Sequence, residues 1–161
     1  MGRTHDHRHC IDGALDGAER LCSRSGARLT PLRRRVLELV WQSHQPVGAY
    51  QVLAALGQEM PGEKARNPAP PTVYRALEFL LAQGLIHRLE SRNAYIGCPH
   101  PDLDHAGQFL ICHECGTVTE LVDPKIGDAV RRGAQQAGFR PNRMTLELEG
   151  TCRQCADGPR A

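Results

Sequence analysis

Four of the seven cysteines fall into two close pairs, Cys112-His113-Glu114-Cys115-Gly116 and Cys152-Arg153-Gln154-Cys155. Two residues between thiolates let both sulfurs of a pair face one tetrahedral Zn²⁺ at about 2.3 Å. Four thiolates close the coordination shell. The chemistry they offer is a structural zinc, with no open position for a substrate or a catalytic water. A thiol–disulfide switch is the other use of such pairs. Gly116 suits the tight turn after the first pair. The zinc-deaminase pattern is H-x-E followed by P-C-x-x-C. Here no H-x-E occurs and neither pair follows a proline. A hydrolytic or deaminating enzyme is therefore not expected.

A second constellation is mixed. His87 and Cys98 sit on the two strands of an expected hairpin. With its turn centred on Arg92-Asn93, residues whose numbers sum to 185 face each other, placing His87 opposite Cys98 and Leu89 opposite Ile96. Directly opposed residues hold their Cβ atoms about 4.5–5.5 Å apart, close enough to share a metal. Downstream, His100, His105 and Glu120 supply further ligand types. Two of them joined to His87 and Cys98 would form an N/S/O site, and its thiolate favours zinc over harder ions such as manganese. Read alone, the residues equally allow a strand histidine and a buried thiol. At the N-terminus His5, His7, His9 and Cys10 have metal-binding chemistry, but residues 1–10 read as a polar, solvated, disordered tail.

The elements that must position these groups change character along the chain. Helix signals fill residues 11–84. A first helix spans Ile11 to Ser25 and stops at Gly26. A second starts with Thr30 as N-cap and Pro31 at the first helical position, with the stripe Leu32, Val36, Leu39 and Val40. A third covers Ala49 to Met60, with Val52, Leu53 and Leu56 inward, and Pro61-Gly62 ends it. A polar loop with Lys64 and Arg66 follows, then Pro68. The fourth helix runs from Pro71 to Gln83. Val73, Ala76, Leu77, Leu80 and Leu81 form its buried face, and Thr72, Tyr74, Arg75 and Glu78 lie off that stripe. Strands at 85–90 and 95–98 then flank the turn 91–94. Helices followed by a β-hairpin is the order of a winged helix-turn-helix, whose recognition helix enters the DNA major groove. The remainder reads as strands at 107–112 and 117–122, a helix from Pro124 to Gly138, and a strand at 142–149. The fold class is thus α+β.

Composition agrees. Aromatic residues make up only 4% of the 161 residues, so the core rests on Leu, Val, Ile and Ala, and small lobes with thin cores often need a metal or an oligomer. No apolar run reaches the length of a membrane span, and the polar start is no secretory signal. A reducing cytoplasm is the expected location, where paired cysteines are ligands rather than disulfides. Net charge is +2, yet residues 1–98 carry 13 Lys and Arg against 9 Asp and Glu, while residues 99–161 carry 7 against 9. A polyanion should prefer the N-terminal half.

The run Pro70-Pro71-Thr72-Val73-Tyr74-Arg75-Ala76-Leu77-Glu78-Phe79-Leu80-Leu81, followed by Gly84-Leu85-Ile86-His87, joins Arg28-Leu29-Thr30-Pro31 and the two cysteine pairs. Together they resemble the ferric uptake regulator family, and within it the zinc uptake regulator branch, from about residue 15 to Cys155. The resemblance implies a homodimeric, zinc-dependent repressor of zinc uptake genes bound to a double-stranded DNA operator. After the tail at 1–10, it implies a winged-helix domain at 11–97, a hinge at 98–106 and a zinc-stapled dimerisation domain at 107–161. It also implies two zinc ions per protomer, one at the four paired cysteines and a regulatory one at His87, Cys98, His105 and Glu120. His105 matches the family spacing better than His100, and Cys98 points to zinc because iron-sensing relatives usually lack that cysteine. Tyr50, Thr72, Tyr74 and Arg75 are the DNA-facing candidates, and Arg33, Arg34 and Arg35 read either as further phosphate contacts or as a solvated helix face. Sensing of iron, nickel or peroxide on the same fold, or zinc storage without DNA, are the competing readings.

Overall fold

A computed structural model describes residues 7–42, 45–58, 69–103, 105 and 107–158. His5, Met60, the Pro61-Gly62 stop, Lys64, Arg66 and Pro68 lie outside the described residues. The chain divides into two compact units between Asp102 and Leu103.

The first unit opens with α1 (His7–Ser25), α2 (Pro31–Trp41), α3 (Ala49–Gln58) and α4 (Pro70–Ala82). The helix α1 begins earlier than the tail expected at 1–10 allows. His9 and Cys10 lie in its first turns. Gly26 itself ends α1 at φ +67°, a conformation that glycine takes without steric cost. The start of α2 is as the sequence indicates: Thr30 Oγ1 accepts from the Arg33 amide at 3.4 Å, and Pro31 follows. Its inward residues Val36, Leu37, Leu39 and Val40 meet Val52 and Leu56 of α3 and Val73, Ala76, Leu77 and Leu80 of α4 in one core. Full burial of each such side chain favours the fold by about 1.5–3 kcal/mol.

The hairpin of β1 (Ile86–Leu89) and β2 (Ala94–Gly97) completes this unit. Its register corrects the expectation: His87 pairs with Ile96 and Leu89 with Ala94, so paired numbers sum to 183, not 185. The loop is Glu90–Asn93, one residue earlier than expected. Asn93 takes the left-handed conformation at φ 46°, which asparagine tolerates better than most residues. Its side-chain oxygen accepts from Arg88 Nη2 at 3.0 Å. Closing one residue earlier lets Ala94 bury itself opposite Leu89 and frees Tyr95 for a second partner. Val47, between α2 and α3, exchanges two backbone hydrogen bonds with Tyr95 at 2.9 and 2.8 Å. The winged helix-turn-helix therefore carries a short third line of sheet.

The second unit holds β3 (Gly107–Cys112), β4 (Val118–Glu120), α5 (Pro124–Gln136), β5 (Thr145–Gly150) and α6 (Arg153–Ala156). Its sheet order is β4-β3-β5, with β3 antiparallel to β4 and parallel to β5. The parallel pairing requires a crossover, which α5 supplies. Asp123 caps α5 by accepting from the Lys125 amide at 2.8 Å. The strand β5 starts at Thr145 rather than 142, and α6 is a single turn with no sequence period to announce it. No helix among the described residues is long and apolar enough to cross a membrane.

Candidate metal centres and recognition helix

The two cysteine pairs meet because β3 and β5 end side by side. Cys112 is the last residue of β3, and its parallel partner is Gly150, the last residue of β5. Beyond Cys112 the chain reverses: Gly116 N donates to Cys112 O at 3.0 Å, and Cys112 N donates to Thr117 O at 2.9 Å. Gly116 sits at φ +73°, where a side chain would be strained. The His113 amide donates to Gly150 O at 3.0 Å and ties this turn to the second one. There Cys152 opens α6, and its carbonyl accepts from the Cys155 and Ala156 amides at 3.0 and 2.9 Å.

The four sulfurs all lie within 4.8 Å of one another. Cys115 Sγ and Cys152 Sγ are 3.8 Å apart, and a zinc tetrahedron with about 2.3 Å bonds has edges of about 3.8 Å. The donor set therefore fits zinc. The Cys152 amide, 3.3 Å from Cys112 Sγ, and the Cys115 amide hold the Cys112 thiol down to about 6. Cys155 is pushed up to about 12, chiefly by the Cys152 and Cys115 sulfurs crowding it. A dication among the four offsets that crowding and favours all four thiolates.

Of the mixed candidates, His87 and Cys98 belong to the first unit and His105 and Glu120 to the second. In the first unit, His87 lies on β1 and the buried Cys98 follows β2, with its amide donating to Leu85 O at 3.1 Å. Cys98 is thus not opposite His87, as expected from the sequence, but diagonal to it. A register shift of two residues leaves both side chains on the same face of the hairpin, and diagonal neighbours remain within reach of long side chains. In the second unit, His105 Nε2 lies 2.7 Å from Glu120 Oε1. His105 Nδ1 lies 2.8 Å from Leu103 O. With Nδ1–H donating to that carbonyl, the Nε2 lone pair is the one left for a ligand, the arrangement typical of metal-binding histidines. His100 is exposed.

The helix α4 separates two faces. Val73, Ala76, Leu77 and Leu80 are buried, while Thr72, Tyr74, Arg75 and Glu78 are exposed. Tyr50, in the first turn of α3, is 75% exposed, uncommon for a side chain this apolar. The arginine run makes contacts within its own unit. Arg33 donates to Arg28 O at 2.6 Å and stacks 3.6 Å from the centroid of the Phe79 ring, binding α2 to α4. Arg34 pairs with Glu19 and Glu38, and Arg35 pairs with Glu38. Arg34 thus ties α2 to α1 and Arg33 ties it to α4, while the Arg35 pair stays within α2. Sequence reasoning also passed over Trp41, whose indole packs on Gly97 beside Cys98. A lone tryptophan and a glycine next to a candidate ligand were the available signal.

The sequence pattern of the Ferric uptake regulator family matches residues 24–149. The chain belongs to the ferric uptake regulator family. Among its relatives, the zinc uptake regulation protein of Escherichia coli strain K12 is 37% identical over 144 residues, covering 89% of this chain and 81% of that protein. The peroxide operon regulator of Bacillus subtilis strain 168 is 27% identical over 132 residues, 82% of this chain and 86% of that one. Two solved structures share the family fold closely. Holo XcZur is 41% identical with a TM-score of 0.80, over 89% of this chain and 97% of that chain. A zinc uptake regulator complexed with zinc and DNA is 36% identical with a TM-score of 0.82, over 91% of this chain and 95% of that chain.

Proposed function

We propose that this chain is a zinc-responsive repressor of zinc uptake genes, acting in the cytoplasm as a homodimer on a double-stranded DNA operator. The observation that carries the reading is Cys98. A buried thiol shares the hairpin with His87, in a chain 37% identical to a zinc uptake regulation protein. Two zinc ions per protomer follow. Cys112, Cys115, Cys152 and Cys155 hold the structural one, and His87, Cys98, His105 and Glu120 hold the regulatory one. Zinc at the regulatory site would supply a cross-link between the winged helix and the dimerisation domain.

The residues divide the work. His105 offers Nε2 because Leu103 O engages Nδ1, and Glu120 supplies a carboxylate on the same strand pair. Cys98 brings the soft donor that discriminates against harder ions. Residues 98–106 would serve as the hinge on which the winged helix turns. In a two-fold dimer, its angle sets the spacing of two α4 helices against two half-sites. If only a fraction of hinge angles suits the operator, apparent DNA affinity falls by that fraction. By reciprocity, operator DNA tightens zinc binding as much as zinc tightens DNA binding. Arg75 suits a guanine O6/N7 contact, and Thr72, Tyr74 and Tyr50 suit phosphate or thymine methyl. The second copy covers the sheet face that exposes Leu110, Thr119 and Leu148.

DNA binding titrated against buffered free zinc tests this. Affinity should rise with zinc and collapse with chelator while the structural ion is retained. A response to Fe²⁺ but not Zn²⁺ would make the chain a sensor of another signal on the same fold. Zinc uptake with no DNA binding at any metal level would make it a storage protein.

A further inference from the structure

Trp41 is the only tryptophan in the chain. It ends α2, and α2 packs against both β2 and α4. Its indole lies flat on the backbone of Gly97. A β-carbon there would fall inside the van der Waals radii of Cε2, Nε1 and Cδ2 of the ring. Gly97 is not in the left-handed region, so the missing side chain serves space rather than backbone conformation. The indole Nε1 is buried and meets no hydrogen-bond acceptor among the described residues. Steric fit, not a hydrogen bond, therefore sets where the ring sits. The next residue is Cys98, whose own amide is held to Leu85 O at 3.1 Å.

We infer that Trp41 is a positioning residue for the regulatory metal site: its indole, seated on Gly97, holds the end of β2 so that the Cys98 sulfur is in place before metal arrives. The inference rests on the proposal that Cys98 is a ligand. It follows from close packing. The strand cannot rise toward the ring without overlap. Moving away would break the Cys98–Leu85 hydrogen bond and the Gly97–Ile86 pairing, in which Ile86 is fully buried.

The test uses the full chain with zinc retained at the four paired cysteines, titrated with cobalt(II) at the remaining site. The unaltered chain should take up one further cobalt(II) with sulfur-to-cobalt charge-transfer absorption. Gly97→Ala should weaken uptake about tenfold and diminish that band. Gly97→Ala combined with Trp41→Phe, which makes room for the added methyl, should restore both. Trp41→Phe alone should lower affinity several-fold, and it carries the test if Gly97→Ala does not fold. Unchanged affinity and band in both single variants overturn the proposal. A weakened affinity that keeps the full band also overturns it, since that marks general destabilisation. Cys98→Ser separates the two ideas. If it keeps the unaltered band, Cys98 is not a ligand, and both the site and this inference fail. If it loses the band while Gly97→Ala and Trp41→Phe retain theirs, this inference alone fails.

Discussion

On the proposed reading, Cys98 and His87 would hold the regulatory zinc and Arg75 would contact the operator. Cys98→Ser and His87→Ala should each abolish the zinc dependence of DNA binding at a free zinc level that saturates the unaltered chain, while structural zinc stays bound. Fluorescence anisotropy with labelled operator over a zinc buffer series checks this, and full retention of zinc dependence would refute the regulatory set. Arg75 is exposed on α4 and unrelated to the core, so its loss should leave folding intact. Arg75→Ala should weaken operator binding by about 1–3 kcal/mol and relax preference at one base pair. A uniform loss across all operator variants would instead assign Arg75 to phosphate.

Local chemistry made most elements legible and tertiary pairing hid the rest. The cap of α2 was readable because Thr30 and Pro31 act within one turn, and the α4 face because Val73, Ala76, Leu77 and Leu80 repeat at helical spacing. The hairpin register was not, because it depends on Asn93 adopting a left-handed turn and on Tyr95 being claimed by Val47, 48 positions earlier in the chain. The paired cysteines were readable from spacing alone, whereas the diagonal relation of His87 and Cys98 needed the register. The single turn α6 lies below the length at which periodicity speaks, yet it presents Cys152 and Cys155 together. A structural prediction belongs to this scale. Cys152→Ser should eliminate the ion at the paired cysteines and unfold the second unit. Structural zinc contributes about 10–16 kcal/mol in small zinc-finger peptides, more than a sheet of three short strands and one helix can replace. Native mass spectrometry would show the lost ion, and amide hydrogen exchange would show lost protection in β3 and β5 but not in α2 or α4.

The two units are built differently. The first rests on a continuous aliphatic core. The second leaves much apolar surface outside: Leu110 is 41% exposed and Leu148, its neighbour across β3 and β5, is 57% exposed. A patch of this kind marks an association surface. Leu148→Glu should change the stability of a single chain by no more than about 0.5 kcal/mol, as surface substitutions generally do. In a dimer that covers this face it buries an unpaired charge, so sedimentation should show monomers at concentrations where the unaltered chain is dimeric. Operator affinity should fall with it, because two linked recognition helices become one. A dimer of undiminished strength would place the association surface elsewhere.

The side-by-side ending of β3 and β5 also orders events in time. Cys112 cannot meet its partners until Cys152 and Cys155 have been synthesised. By then every residue of the winged helix has long left the ribosome. Domains generally fold as units in the order they emerge, so the DNA-reading half is complete while the other still lacks its last strand and both of its final thiols. Closing the cysteine centre thus comes after the winged helix has formed. If that centre takes zinc, a newly made chain that meets none would carry a finished winged helix on an incomplete second unit, and metal supply would govern how many competent regulators are assembled.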